Sequence, residues 1–350
     1  MQITQVRVIP VELNLRVPFR TAHHAGMDRV SLFFVRVDTR EGQTAWGCAA
    51  FDPAITGETP EQVSQACRAC AERARDLNPL NTEHALYEIA SLAVGTPSVQ
   101  CAFDMAFYDL LGLAAQLPLH RLLGGYRDRI MTSVTVNIGS VGDTVKMARE
   151  RARQGFRILK IKGGLDAQAD VQRVNAVATA LPNFTLRLDG EQRYTLQEAL
   201  DVCRALAGKI EILERPLPPE DVPSLRELTR FSPVPIVVAV EPAAALRIAA
   251  DRAAHGLSVR LATCGGLQCG RQIDAIARSA RLATMVGCIN EPALLTAAGL
   301  GFALSSPNVR YVDLDGYIDL ADDPTRPRFI LADGWLIASE VPGLGCTVDL

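Results

Sequence analysis

Gly155-Phe156-Arg157-Ile158-Leu159-Lys160-Ile161-Lys162-Gly163-Gly164 is an apolar run closed by two lysines two positions apart. Its pattern is that of a strand, where residues i and i+2 face one side, so Lys160 and Lys162 project together toward one place. Two ammonium groups held that close repel, and each makes the other easier to deprotonate. A lysine that acts as a base at neutral pH needs such help. Alone, the stretch is more simply a strand end with two solvated lysines. Its neighbours in the chain change that reading.

From about residue 132 the same kind of run recurs, at 132–138, 156–162, 184–189, 210–214, 236–240, 257–262, 282–286 and 309–313. A helix-length segment separates most neighbours. This alternation predicts a parallel sheet, and eight units predict a closed barrel, an α/β fold of the modified (β/α)8 (TIM-like) type. Such barrels carry their sites on the loops leaving the C-terminal strand ends, and here Lys162, Asp189, Glu214 and Asp313 end apolar strands. A charged residue in that position is paired, solvated or functional.

Ahead of the barrel, residues 2–15 and 30–39 read as strands joined to a third by a turn at Arg40-Glu41-Gly42-Gln43. Residues 61–77, 83–94 and 98–115 carry helical periodicity. Between the first two strands, Val17-Pro18-Phe19-Arg20-Thr21-Ala22-His23-His24-Ala25-Gly26 is too polar and irregular for another strand. Loops of this kind often close over a substrate. His23 and His24 are more simply solvated loop residues; of the two, His24 is the candidate for substrate contact. The tail, Asp333-Gly334-Trp335 to Pro342-Gly343-Leu344-Gly345, is turn-rich and is expected to return to the N-terminal layer.

Composition narrows the function. The chain has 350 residues, 48% hydrophobic and 21% charged, with net charge −3, so no basic excess points to nucleic acid or a membrane surface. No apolar run reaches the roughly 18 residues of a membrane span, and the N-terminus lacks a signal-peptide pattern. Nine cysteines, scattered through apolar segments, suit reduced thiols and a cytoplasmic location. Cys67 and Cys70 form a CxxC inside a helical stretch with no second pair, which reads as packing rather than a zinc or redox site.

Several motifs in this order are similar to those of the enolase superfamily, in its muconate-lactonizing-enzyme-like branch, which includes dipeptide epimerases. They are Ala102-Phe103-Asp104-Met105-Ala106-Phe107-Tyr108-Asp109-Leu110 with Leu122-Leu123-Gly124-Gly125; Lys160-Ile161-Lys162; Asp189-Gly190-Glu191-Gln192-Arg193-Tyr194; Leu213-Glu214-Arg215-Pro216-Leu217; Cys264-Gly265-Gly266-Leu267; and Pro342-Gly343-Leu344-Gly345. The resemblance covers nearly the whole chain. It implies an α+β capping domain of residues 1–125, completed by about 325–350, over a barrel of 126–324. It also implies an isomerase or lyase of the mandelate racemase/muconate lactonizing enzyme type. Such an enzyme removes the proton α to a substrate carboxylate with a lysine, while Mg2+ on three carboxylates holds that carboxylate. The cation spreads the charge of the enolate, whose cost makes the proton so weakly acidic. By this resemblance Lys162 is the base, Lys160 its partner, Asp189 the first metal ligand and Glu214 the second. The partner is a small carboxylate molecule, and a homo-oligomer is expected.

The pattern also breaks. The third carboxylate is expected after Pro235-Ile236, where the chain reads Val237-Val238-Ala239-Val240-Glu241-Pro242 and offers Ala239 or Val240. Glu241 is the remaining metal-ligand candidate, although a one-residue offset points a side chain the other way. The second base of the family falls on Arg260, which does not deprotonate but can clamp a carboxylate or stabilise an enolate. Alternatively Arg260 pairs with Glu191 or Glu241. Glu191 replaces an asparagine; it adds charge to a metal site or pairs with Lys160 or Arg260. Cys48 replaces a capping-domain glutamate and reads as packing. Asp313-Leu314-Asp315 lies where the branch's dipeptide epimerases hold a substrate ammonium, and is also a common turn sequence. Glu291 falls where the branch often has a carboxylate near the site. Two functions remain open: α-proton chemistry by Lys162, with epimerisation, cycloisomerisation or elimination as outcome, or a metal-independent member that binds an anionic small molecule.

Overall fold

In the computed structural model, which describes residues 1–350, the N-terminal segment is an antiparallel three-stranded sheet, Ile3–Phe19, Met27–Thr39 and Thr44–Ala50. The first strand runs further than its sequence suggests. After a register irregularity between Asn14 and Phe19, it takes in Val17-Pro18-Phe19 and leaves a short loop before Met27. Gly42, at φ +81°, supplies the left-handed residue of the turn into the third strand. Helices Pro60–Ala74, Thr82–Leu92 and Pro97–Ala115 follow. The first starts on a capping box between Thr59 and Gln62, with proline at the first helical position.

Helix Pro97–Ala115 is buried almost all round because it lies between the sheet and the barrel. It packs so closely on the third strand that a Cβ on Gly47 would lie 1.8 Å from the Ala102 carbonyl oxygen. Its two aspartates are joints. Asp104 accepts the amides of Leu267 and Gln268 at 2.7 and 3.0 Å, capping the barrel helix that follows Gly265-Gly266. Asp109 accepts the Leu344 amide at 2.7 Å and so fixes the Pro342-Gly343-Leu344-Gly345 turn.

Eight parallel strands then run in chain order around the barrel: Ser133–Val136, Ile158–Lys162, Thr185–Asp189, Leu213–Glu214, Ile236–Ala239, Gly256–Arg260, Ala283–Gly287 and Val309–Val312. Each neighbour pair is parallel, as the alternation predicts. The ladder is open between the first strand and the eighth. Side chains bridge that seam. Ser133 Oγ donates to Asp313 Oδ1 at 2.6 Å and lies 3.2 Å from the Val312 carbonyl oxygen, and Asp315 Oδ2 accepts the Thr135 amide at 2.6 Å.

The tail does two things. Strand Trp335–Ile337 pairs with Ile330–Ala332 and with Arg129–Met131 at the barrel entrance, while Thr325–Pro327 pairs with Cys346–Val348. It also touches the N-terminal layer, through the Leu119 amide on the Gly343 carbonyl and the bridge of Leu15 with Leu320. No helix is long and apolar enough to cross a membrane.

Candidate active site

Register brings the predicted residues together. Lys162 pairs with Asp189 and Asp189 with Glu214 on consecutive strands, so their side chains reach the same mouth of the barrel, all of them buried. Lys162 Nζ donates to Asp189 Oδ2 and Glu191 Oε1, both at 2.9 Å. Lys160 Nζ is bonded to Asp313 and lies 3.7 Å from Glu214 Oε2.

The expectation that paired lysines lower one another's pKa fails at Lys160. Burial alone pulls this ammonium down, but Asp313, then Glu214, Asp189 and Asp315, outweigh it and hold the pKa above its usual value. Each lysine has carboxylate partners of its own, Asp313 and Glu214 for Lys160, Asp189 and Glu191 for Lys162.

Glu191 turns inward because it and Gln192 adopt left-handed backbone conformations, at φ +50° and +63°. Its partners are Lys162 and Arg215, not Lys160 or Arg260. Burial raises its pKa and the nearby Asp189 adds to that, yet Lys162 and Arg215 bring it down to about 2. Glu191 also anchors the loop over the mouth, since Oε2 accepts the Ala22 amide at 2.7 Å. In that loop His23 Nε2 approaches the Glu191 carbonyl at 3.2 Å. His24 faces Asp52, with Nε2 2.7 Å from Oδ2, and this hydrogen bond raises its pKa. His24 is thus half-buried rather than free in solvent.

The residue missed in the sequence is Arg215. Strand alternation turns it away from Glu214, but the fourth strand is only two residues long and Arg215 has φ +45°. That turn swings its guanidinium back over the site. Nε donates to Asp189 Oδ1 at 3.0 Å, a terminal nitrogen contacts Asp189 Oδ2, and the same nitrogen reaches Glu191 Oε1 at 3.2 Å. Nε also stands 3.7 Å from Glu214 Oε1. Burial tends to raise the Asp189 pKa, but Arg215, and after it Lys162, Lys160 and Arg260, hold it well below the carboxylate range. A charged residue at the end of an apolar strand, directly before a proline, was the signal available.

Arg260 pairs with neither Glu191 nor Glu241. Its terminal nitrogen donates to Glu214 Oε1 at 2.8 Å, and its Nε is buried without a partner. Glu241 does not join the site. The fifth strand stops at Ala239, and Glu241 opens the next helix with its side chain exposed and no cap hydrogen bond. Asp313 is occupied by Lys160 and Ser133, whereas Asp315 meets only the Thr135 amide and, at 3.5 Å, Cys288 Sγ. Glu291 is buried beside them, and burial pushes its pKa up to about 8. Cys48 is fully buried in the third strand of the cap and packs there.

Lys160, Lys162, Glu191, Arg215, Arg260, Asp313 and Asp315 line one cavity at the barrel mouth together with Phe19, Thr135 and Asn290. Four cations, Lys160, Lys162, Arg215 and Arg260, face five carboxylates, Asp189, Glu191, Glu214, Asp313 and Asp315. As donors for Mg2+ these residues do not fit. Both Asp189 oxygens are taken by a guanidinium and Glu214 Oε1 by a second, which leaves Glu214 Oε2, 3.7 Å from the Lys160 ammonium, as the one oxygen of the pair without a hydrogen bond, too few for an octahedral ion. The third position, Ala239 or Val240, has no oxygen in its side chain.

Residues 143–350 match the family model described as enolase C-terminal domain-like. Residues 3–124 match that of the mandelate racemase/muconate lactonizing enzyme N-terminal domain. An L-Lys-D/L-Arg epimerase of Methylococcus capsulatus is 34% identical, with 99% of each chain aligned. A hydrophobic dipeptide epimerase of Enterococcus faecalis is 30% identical, again over 99% of each. The substrate-liganded L-Ala-D/L-Glu epimerase of Bacillus subtilis superimposes with a TM-score of 0.96 at 28% identity over 100% of both chains. The M. capsulatus dipeptide epimerase complexed with Mg and the dipeptide L-Arg-D-Lys gives 0.92 at 32% identity, over 99% of this chain and 100% of that one.

Proposed function

The chain belongs to the mandelate racemase/muconate lactonizing enzyme family of the enolase superfamily, and from that membership we propose that it removes the proton α to the carboxylate of a dipeptide or related amino-acid derivative, a proton delivered to the opposite face of the carbon then giving epimerisation. The observation that carries this reading is the meeting of Lys160 and Lys162 with Asp313 and Asp315 at one barrel mouth.

Magnesium is the usual cofactor of the family, as in the solved relatives complexed with it. The steps proposed for this chain use its own residues. Lys162, having given one proton to water, takes the α-proton, and the C–H bonding pair moves into the carboxylate. Fixed cations around the cavity stabilise the resulting enediolate without reorganising. Asp315, whose partners are uncharged, accepts the substrate's ammonium group and orients Cα toward Lys162. Phe19, with Lys162 Nζ 5.8 Å from its ring centre, and the loop tied to Glu191 limit water at that face.

Residues 1–125 with 325–350 form the cap in this reading, and 126–324 the barrel. A cytoplasmic homo-oligomer completes it; the free thiols support the compartment, and sedimentation tests the assembly.

The test is exchange of deuterium from solvent into the α-positions of a dipeptide panel, followed by NMR. Exchange that Lys162→Ala abolishes in a folded protein is the expected result. Exchange surviving in that variant removes Lys162 as the base.

A further inference from the structure

The cation held between Asp189 and Glu214 is part of the chain. We propose that Arg215 stands in for the magnesium of the solved relatives, so that this site binds and polarises a carboxylate with built-in guanidinium charge and no divalent ion. The inference rests on the function proposed above only for the identity of the ligand.

Three observations carry it. First, the backbone commits Arg215 to this place. A non-glycine residue with φ near +45°, directly before a proline, is rare because sterics favour extended conformations there. Here it is held on both sides, its amide donating to the Val237 carbonyl at 2.8 Å and its carbonyl accepting the Gln192 amide at 2.6 Å. The guanidinium is delivered by a fixed turn, and it is buried.

Second, guanidinium charge already stands at both of the remaining ligand positions. Arg215 lies along Asp189, and Arg260 bonds Glu214. Together the two guanidinium groups supply the two positive charges of one divalent ion. An ion entering between the carboxylates would meet both.

Third, the positions that differ are consistent with one another. Val240 and Ala239 remove a ligand, whereas Glu191 adds a carboxylate that Arg215 and Lys162 share. Arg215 and Arg260 both line the cavity, so two guanidinium groups face whatever anion enters it. An arginine keeps its charge at every working pH and presents a planar fork to a carboxylate.

Calorimetric titration of the full-length protein with magnesium chloride alone is the direct test. No saturable binding is expected up to about 10 mM, and no rise in melting temperature. Removing the built-in cation and restoring the ligand together, in R215Q/V240D, is expected to create a site at least about tenfold tighter than that limit. Asp189→Asn should abolish the new site. Submillimolar binding by the unaltered protein, lost on Asp189→Asn, would overturn the proposal. So would a folded R215Q/V240D that gains no affinity. The first titration decides even if the double variant does not fold.

The α-proton exchange assay, run in excess EDTA and again in magnesium, separates this inference from the function. Exchange in EDTA supports both. Exchange only with magnesium sinks the built-in cation and keeps the function. Absence of exchange in either counts against the function, and the metal titration still decides the role of Arg215.

Discussion

The Arg215 guanidinium lies edge-on to the Asp189 carboxylate, Nε 3.0 Å from Oδ1 and a terminal nitrogen against Oδ2, with neither residue reached by solvent to any useful extent. Side-on pairs of this kind are among the stronger charge-assisted hydrogen bonds, and burial leaves no water to replace a lost partner.

Removing Arg215 should therefore cost stability as well as function. Arg215→Met leaves Asp189 and Glu191 sharing Lys162 alone, and breaking a buried pair from one side costs about 3–5 kcal/mol. Arg215→Lys keeps the charge but not the fork, so a smaller loss is expected. Urea unfolding followed by circular dichroism reads both. A midpoint unmoved in Arg215→Met would mean that the pair does not contribute to the fold.

Much of this arrangement was legible in the chain. The eight apolar runs fall on the eight strands, because a parallel strand buried on both faces reads as a continuous apolar segment. Lys162, Asp189 and Glu214 meet because each ends such a strand in matching register. The flanking motifs have a physical reason too: Asp104 and Asp109 are where the long helix grips the barrel and the tail. Arg215 was hidden because strand alternation holds only while φ stays extended, and here the backbone turns left-handed one residue past the strand. The partners of Glu191 and Arg260 were hidden for another reason. The ion pairs link residues 24 to 46 positions apart, and nothing local distinguishes one carboxylate at the mouth from the next.

Arg260 has a stereochemical consequence. Epimerisation needs a proton delivered to the face opposite the base, and a guanidinium bound to Glu214 is a poor donor and no acceptor. Deuterium is thus expected to enter the α-position with retention faster than configuration inverts. Arg260→Lys introduces a group that can titrate and should raise the ratio of inversion to exchange by about a hundredfold, the lower end of what general acid–base catalysis contributes. Proton NMR and polarimetry on the same sample measure the ratio. An unchanged ratio would place the second proton donor elsewhere.

Glu291 gives a dependence of stability on pH. Burial is the main cause of its rise from 4.5 to about 8; the Ile289 amide and Arg260 oppose it, and Asp315 and Asp313 add to it. Between those two values the folded protein holds a proton that the unfolded chain releases, so this group makes stability fall as pH rises. Glu291→Gln keeps the neutral form. The variant should match the wild type near pH 4.5 and exceed it by a few kcal/mol near pH 8, since each pH unit across that window is worth about 1.4 kcal/mol. Thermal melts over the same range test the sign, and a variant that loses ground at high pH would reverse it.

Asp315 and Asp313 look equivalent in Asp313-Leu314-Asp315, but their surroundings separate them. Asp313 is neutralised by Lys160 and bonded to Ser133, so little of its charge is left for a ligand. Asp315 has an amide and a thiol for partners and lines the cavity without a cation of its own. A substrate ammonium would complete it. Asp315→Asn should weaken binding of dipeptides with a free amine by about tenfold to a hundredfold, the range of a hydrogen bond to a charged group, and leave N-acylated forms nearly unaffected. Competition of each form against a fluorescent ligand gives both affinities. Equal losses for the two forms would show that Asp315 supports the barrel seam through Thr135 and plays no part in recognising the amine.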